Sequence, residues 1–206
     1  MKQFYNLTLF VIMLCISSSA FSQIGVQVSY IKPVKDLGYV FKPTVGFEFI
    51  TNNAEIDDKF RWGISLGYYS FSPRQDTFFS YGTQSGSSSA QYLPAYDIWY
   101  AYRVIPLTAT FAYKILDRNF SPTIGLDAGM NIVNYHQYTY FETVRSADVT
   151  RSSLFIGLFP NIGASTQIGD NVLLSFGMGK SYNLDLVSFK PVQLWKFQLG
   201  VMYYID

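Results

Sequence analysis

Few residues of this 206-residue chain are of types that could do chemistry. The single histidine, His136, precedes Glu142 and Ser153, which together would supply a base, an orienting carboxylate and a nucleophile. One histidine excludes a multi-histidine metal site. His136 also stands among Tyr135, Tyr138 and Tyr140, the surroundings of a loop or interface residue rather than of a general base. No metal, phosphate or nucleophile motif is present, so the reading is that the protein is not an enzyme and uses no cofactor. Four other charged residues carry more information: Glu48, Arg61, Asp127 and Lys196. Each falls on the polar face of a strand, and a buried charge is costly unless paired. Glu48 and Arg61 share a hairpin and are expected to form a bridge, while Asp127 and Lys196 are expected at different heights. Together the four read as a structural polar plug rather than a gate or proton path.

Strands of period two must position these charges. Ile24, Val26, Val28 and Tyr30 oppose Gly25, Gln27 and Ser29, and Phe60, Trp62, Ile64, Leu66 and Tyr68 oppose Arg61, Gly63, Ser65 and Gly67. The pattern recurs over 124–132 and is clearest at the end, where Trp195, Phe197, Leu199, Val201, Tyr203 and Ile205 alternate with Lys196, Gln198, Gly200, Met202 and Tyr204. Segments 44–50, 104–114, 154–168 and 172–180 complete a set of eight. No stretch of the mature chain keeps an apolar period of 3.6, so no helix is expected there.

The leader is different. Lys2, an apolar run from Leu7 to Ile16, and small residues at Ala20 and Ser22 read as a secretory signal over 1–22, cleaved before Gln23. The run is too short to span a bilayer, which takes about 20 apolar residues. Cys15, the only cysteine, leaves with it, and Leu14 before it argues against a lipid anchor there. The mature chain, 23–206, then has no disulfide or thiolate chemistry. It keeps 14 basic and 14 acidic residues, since Lys2 is the one charge removed from 15 and 14, and shows no nucleic-acid-binding patch.

The whole sequence is 49% hydrophobic and 18% aromatic but only 14% charged, against about 25% charged in an ordinary soluble domain. A soluble eight-stranded barrel would need a charged exterior. Here the face opposite the apolar one is mostly Gly, Ser, Thr, Asn and Gln, which suits a crowded interior better. The fold class expected is all-β: an eight-stranded antiparallel up-and-down transmembrane β-barrel, preceded by a signal peptide. Short connections at 51–59, 116–120 and 169–171 alternate with longer ones, above all 72–97, which holds the sequence GTQSGSSSA, and 136–153. That asymmetry places both termini in the periplasm and the long loops outside. Tyr30, Tyr68, Trp99, Tyr100 and Trp195 are expected in an outer aromatic girdle, with Phe49, Phe60, Trp62, Tyr113 and Tyr203 in an inner one. The sequence ends with the last strand, so no periplasmic peptidoglycan-binding domain is expected after it.

The stretch from Ala101 to Tyr135 resembles the fourth and fifth strands of the outer-membrane barrel family called porin family or PorT-like. Tyr102, Ile105, Pro106 and Leu107 match its Tyr-Leu-Glu-Ile-Pro-Leu type run; Pro122, Ile124, Gly125 and Gly129 match the strand that follows. Arg103 and Val104 stand where that family has Leu and Glu, so any role of that Glu is absent. The resemblance implies an outer-membrane barrel of a Gram-negative bacterium, in a family with some members linked to protein secretion. The function expected is structural or interactive, docking to another envelope component through the outer loops. A narrow porin-like channel is the alternative, and a lipid-modifying barrel enzyme a more distant one. The expected partners are outer-membrane lipid and an envelope or secretion-system protein. The docking aromatics would be Phe78, Phe79, Tyr81, Tyr138 and Tyr140, since tyrosine clusters give large contact area at small entropic cost.

Overall fold

The computed structural model describes residues 23–53, 59–83, 92–116, 120–141, 144–186 and 191–205. Residues 1–22, expected as a signal, most of the Gly/Ser-rich stretch, Glu142 and Lys190 lie outside the described residues. Ten strands form one antiparallel sheet: β1 (Gln23–Pro33), β2 (Thr44–Asn53), β3 (Phe60–Phe71), β4 (Phe78–Thr83), β5 (Tyr92–Trp99), β6 (Tyr102–Lys114), β7 (Phe120–Phe141), β8 (Val144–Ile168), β9 (Val172–Asp185) and β10 (Pro191–Tyr204). Eight of them close on themselves in the order β1, β2, β3, β6, β7, β8, β9, β10, with β10 pairing back to β1. The short turn between β8 and β9 works because Gly169 takes a positive φ of 64°, open to a residue without Cβ.

The size of the barrel follows from its register. One row of partners runs from Val201 through Val26, Phe49, Leu66, Leu107, Met130, Ile156 and Leu184, and returns to β10 at Pro191. The return is ten residues nearer the loop end (201 minus 191). Ten residues of ~3.3 Å over eight interstrand steps of ~4.8 Å tilt the strands by about 40° and set a backbone radius of roughly 8 Å. Such a lumen is filled by side chains.

The faces fall as the alternation requires. Val26, Phe47, Phe49, Leu66, Ile124, Ile162, Leu199 and Tyr203 are exposed, while Ser29, Glu48, Arg61, Ser65, Asp127 and Lys196 are buried inside. Among the described residues 39 large apolar side chains are exposed and only 15 apolar ones buried, the reverse of a soluble core.

Two features depart from the expected eight strands and no helix. A six-residue helix α1 (Lys35–Val40) follows β1. It is too short for a periodic signal and is held by packing, with Leu37 and Val40 against the loop-end cluster and the Phe41 amide donating to the Leu37 carbonyl. The segment expected as the loop 136–153 is mostly strand: β7 and β8 stay paired to Phe141 and Val144, past the last β6 partner, Asn134. There β5 takes over as β7's other neighbour, Trp99 opposite Gln137 and Ala95 opposite Phe141, and β4 pairs outside β5. The result is a four-stranded extension, β4-β5-β7-β8, carrying about 20 Å of strand beyond the barrel rim.

Candidate functional site

The lumen is filled at three levels. At the turn end Ile50, Leu173, Met202 and Tyr204 form a buried apolar cluster. At mid-height the Glu48 carboxylate takes the Lys196 ammonium at 2.6 Å, the Tyr69 hydroxyl at 2.5 Å and the Ser29 hydroxyl at 2.8 Å, with Ser65 and Gln27 at 3.4 Å. The Lys196 Nζ lies 5.6 Å from the ring centre of Tyr69 and 5.1 Å from that of Phe159, which adds cation–π attraction to the ion pair. Asp127 completes the layer; Gln198 bonds to it, and it sits within electrostatic reach of both Lys196 and Glu48. Small cavities lie on either side, about 50 Å³ toward the loop end and about 100 Å³ toward the turn end, and Asp127 borders both.

The third level is apolar. Ile31, Phe71, Tyr102, Val104, Val133, Phe155 and Leu194 point into the loop end of the lumen, and Phe41 closes it from above with no exposed surface. Phe41 packs at 5.3 Å against Tyr102 and edge-on at 5.8 Å against Trp99. The β1–β2 connection is stapled over this plug: Lys42 and Arg74 amides donate to Ser72 and Val40 carbonyls, and Arg74 Nε donates to the Gly38 carbonyl at 2.7 Å.

All four predicted interior charges face the lumen, but their partnership differs from expectation. Glu48 pairs with Lys196, not with Arg61. The β2–β3 register puts Glu48 opposite Gly67, six residues and about 20 Å of strand from Arg61. Arg61 is buried lower, beside the turn-end cavity. Asp127 and Lys196, expected at different heights, belong to one layer: Glu48 aligns through Gln27 with Gly200, the strand tilt carries that row upward from β10 to β2, and Lys196, four residues nearer the loop end than Gly200, therefore stands close to the level of Glu48. Tyr69 and Ser29 were not singled out from the sequence, although Ser29 already stood on the polar face of β1 and extending the β3 alternation by one step puts Tyr69 inside. Phe41 had no such signal.

The outer residues divide by face. Phe79, Tyr96 and Tyr140 form one cross-strand row, and Tyr138 shares their face. Phe79 and Tyr96 meet edge-on at 5.4 Å. Phe78 aligns with Asp97 and Thr139 on the opposite face, and Tyr81 lies in β4, its side chain outside the description. Trp99, expected in the girdle, instead packs on the plug and on Tyr135 at 5.6 Å. His136 bonds Asp148 at 2.7 Å and stacks with Tyr100 at 5.2 Å. Ser153 is opposite Val133, whose side chain is buried in the lumen, whereas His136, three positions along β7, faces outward; the two are not a nucleophile and its base.

A closed antiparallel barrel with a 40° tilt, a packed lumen and an apolar exterior defines the class: an eight-stranded membrane-spanning β-barrel of the outer-membrane type. A solved structure agrees. Neisserial surface protein A superimposes with a TM-score of 0.51 at 14% identity, over 89% of this chain and 96% of that one. OprG from Pseudomonas aeruginosa (TM-score 0.45, 14% identity, 89% and 95% covered) and Ail, the attachment invasion locus protein of Yersinia pestis (0.43, 16%, 90% and 99%), are also similar. At these identities the likeness is one of fold. No protein-family model matches the sequence, and no curated protein matches it.

Proposed function

We propose that the chain is an integral outer-membrane protein of a Gram-negative bacterium, exported by its 1–22 signal, with both termini periplasmic, and that it docks to another protein of the envelope through its outer extension. The observation that carries this reading is the pairing of a filled lumen with a built surface. Three packed levels occupy the space a solute would need. The chain meanwhile extends β7 and β8 past the rim and adds β4 and β5, placing Phe79, Tyr96, Tyr138 and Tyr140 on one face. Ordering an extra hairpin has an entropic cost that barrel closure does not require, and aromatic surfaces of this kind suit protein contacts. The resemblance of Ala101–Tyr135 to PorT-like barrels, some linked to secretion, supports an envelope protein as the partner.

The test is crosslinking in intact cells followed by purification, comparing wild type with the Tyr138→Ser/Tyr140→Ser and Phe79→Ser/Tyr96→Ser variants. The expected result is a defined partner lost from both variants while each still folds as a barrel. Retention of every partner by folded variants, or steady ion conductance of the wild type in planar bilayers, overturns the docking reading. Conductance would favour a channel.

A further inference from the structure

Register places three chemically distinct rows one above another on the outward face of β3, β6, β7 and β8. The lowest is aliphatic, Ile105, Ile132 and Leu154 aligned across β6, β7 and β8. Directly above it runs Ser70, Arg103, Asn134 and Ser152, each the cross-strand partner of the next. Above that stand Tyr100 and His136, stacked on each other, with Tyr138 edge-on to Tyr100 at 5.5 Å. The polar row coincides with the barrel rim, since Asn134 is the last β7 residue paired with β6.

Arg103 is the anomaly in this stack. It is exposed, it points outward where the apolar band ends, and its side chain makes no ion pair or hydrogen bond among the described residues. Asp148, an outward carboxylate higher on β8, is engaged by His136. A guanidinium left open at a membrane rim is suited to bidentate binding of phosphate, and Asn134 beside it, whose Oδ1 accepts from the Ser152 hydroxyl, keeps its amide NH2 to donate. Aromatic rings with hydroxyl edges just above suit the faces of sugar rings.

We propose that this face binds a phosphorylated glycolipid of the outer leaflet, with acyl chains along Ile105, Ile132 and Leu154, a headgroup phosphate on Arg103, and the sugars beyond the phosphate-bearing ones against Tyr100 and His136. The inference rests on the outer-membrane reading above and deepens it by naming a lipid the barrel selects. Three rows in the order of acyl chain, phosphate and sugar match a glycolipid; a glycerophospholipid would leave the aromatic row unused.

The experiment is native mass spectrometry and competition binding on the purified barrel in micelles, using lipopolysaccharide, lipopolysaccharide stripped of its phosphates, bare lipid A and phosphatidylglycerol as probes. Wild type is expected to bind lipopolysaccharide at least tenfold more tightly than the dephosphorylated form or phosphatidylglycerol. Arg103→Gln should bring lipopolysaccharide down to the dephosphorylated level, and Tyr100→Ser should weaken lipopolysaccharide but not lipid A. Lys32→Gln, on β1 across the barrel, should change neither. Equal binding of phosphorylated and dephosphorylated probes by wild type refutes the proposal without any variant, as does undiminished binding by Arg103→Gln or equal competition by phosphatidylglycerol. Fractionation of the native protein away from the outer membrane would remove the reading beneath the inference, whereas loss of selectivity in the purified barrel removes the inference alone.

Discussion

Replacing Lys196 by methionine isolates what the mid-lumen ion pair contributes, because methionine keeps most of the alkyl volume and deletes the charge. The Glu48 side chain is 1% exposed and that of Lys196 11%, so water screens neither well in the native barrel. Removing one member of a buried pair typically costs about 3–5 kcal/mol, since the other charge is stranded. Glu48 would keep the hydroxyls of Tyr69 and Ser29, and the cavities beside the layer can admit water. Both effects argue for the lower end, about 3 kcal/mol, or roughly a 150-fold shift in the unfolding equilibrium. Urea unfolding of the refolded barrel, followed by gel band shift and tryptophan fluorescence, reads this directly. The double variant Glu48→Gln/Lys196→Met removes the stranded charge and should recover at least half of the loss. A single variant within about 1 kcal/mol of wild type, or a double variant as unstable as the single, would refute the pairing argument.

Phe41→Ala deletes the fully buried ring that caps the lumen and should cost about 3 kcal/mol; hydrogen exchange should then show α1 opening well before the barrel, and an unchanged exchange pattern would deny that the ring holds the helix. Gly46→Val drives a Cβ into the Tyr69 ring and to 2.8 Å from the Tyr68 carbonyl oxygen, so it should destabilise by about 1–3 kcal/mol through overpacking, with part of that loss absent in a Tyr69→Ala background and the rest staying with the carbonyl; fully additive losses would show that the ring is not the obstacle. N-terminal sequencing of native protein should begin at Gln23, and an intact Met1 would rule out cleavage of the leader.

Much of the architecture was legible in one dimension because a strand's side-chain period is fixed at two. Alternation in 24–30, 60–68 and 195–205 assigned the lumen and exterior faces, and the interior positions of Glu48, Arg61, Asp127 and Lys196 followed from it. Period alone carries no stagger. Whether Glu48 meets Arg61 or Lys196 depends on hairpin register and on the ten-residue shift around the barrel, both set by simultaneous closure of eight strands. The plug was hidden for a related reason: Ile31, Tyr102 and Val133 are apolar residues on a face read as polar, and Phe41 and α1 lie in a connection with no periodicity. The extension was hidden because its residues lack the aliphatic stripe that marks the spanning segments. Beyond the rim, β7 and β8 persist through pairing with each other and with β5, a long-range cause no local pattern records. The sequence by itself determined the class of barrel and the face of each spanning residue, because both depend on alternation. The tertiary structure alone decided which charges meet, what caps the lumen and which residues stand together above the rim, because these are consequences of register, shear and nonlocal strand pairing.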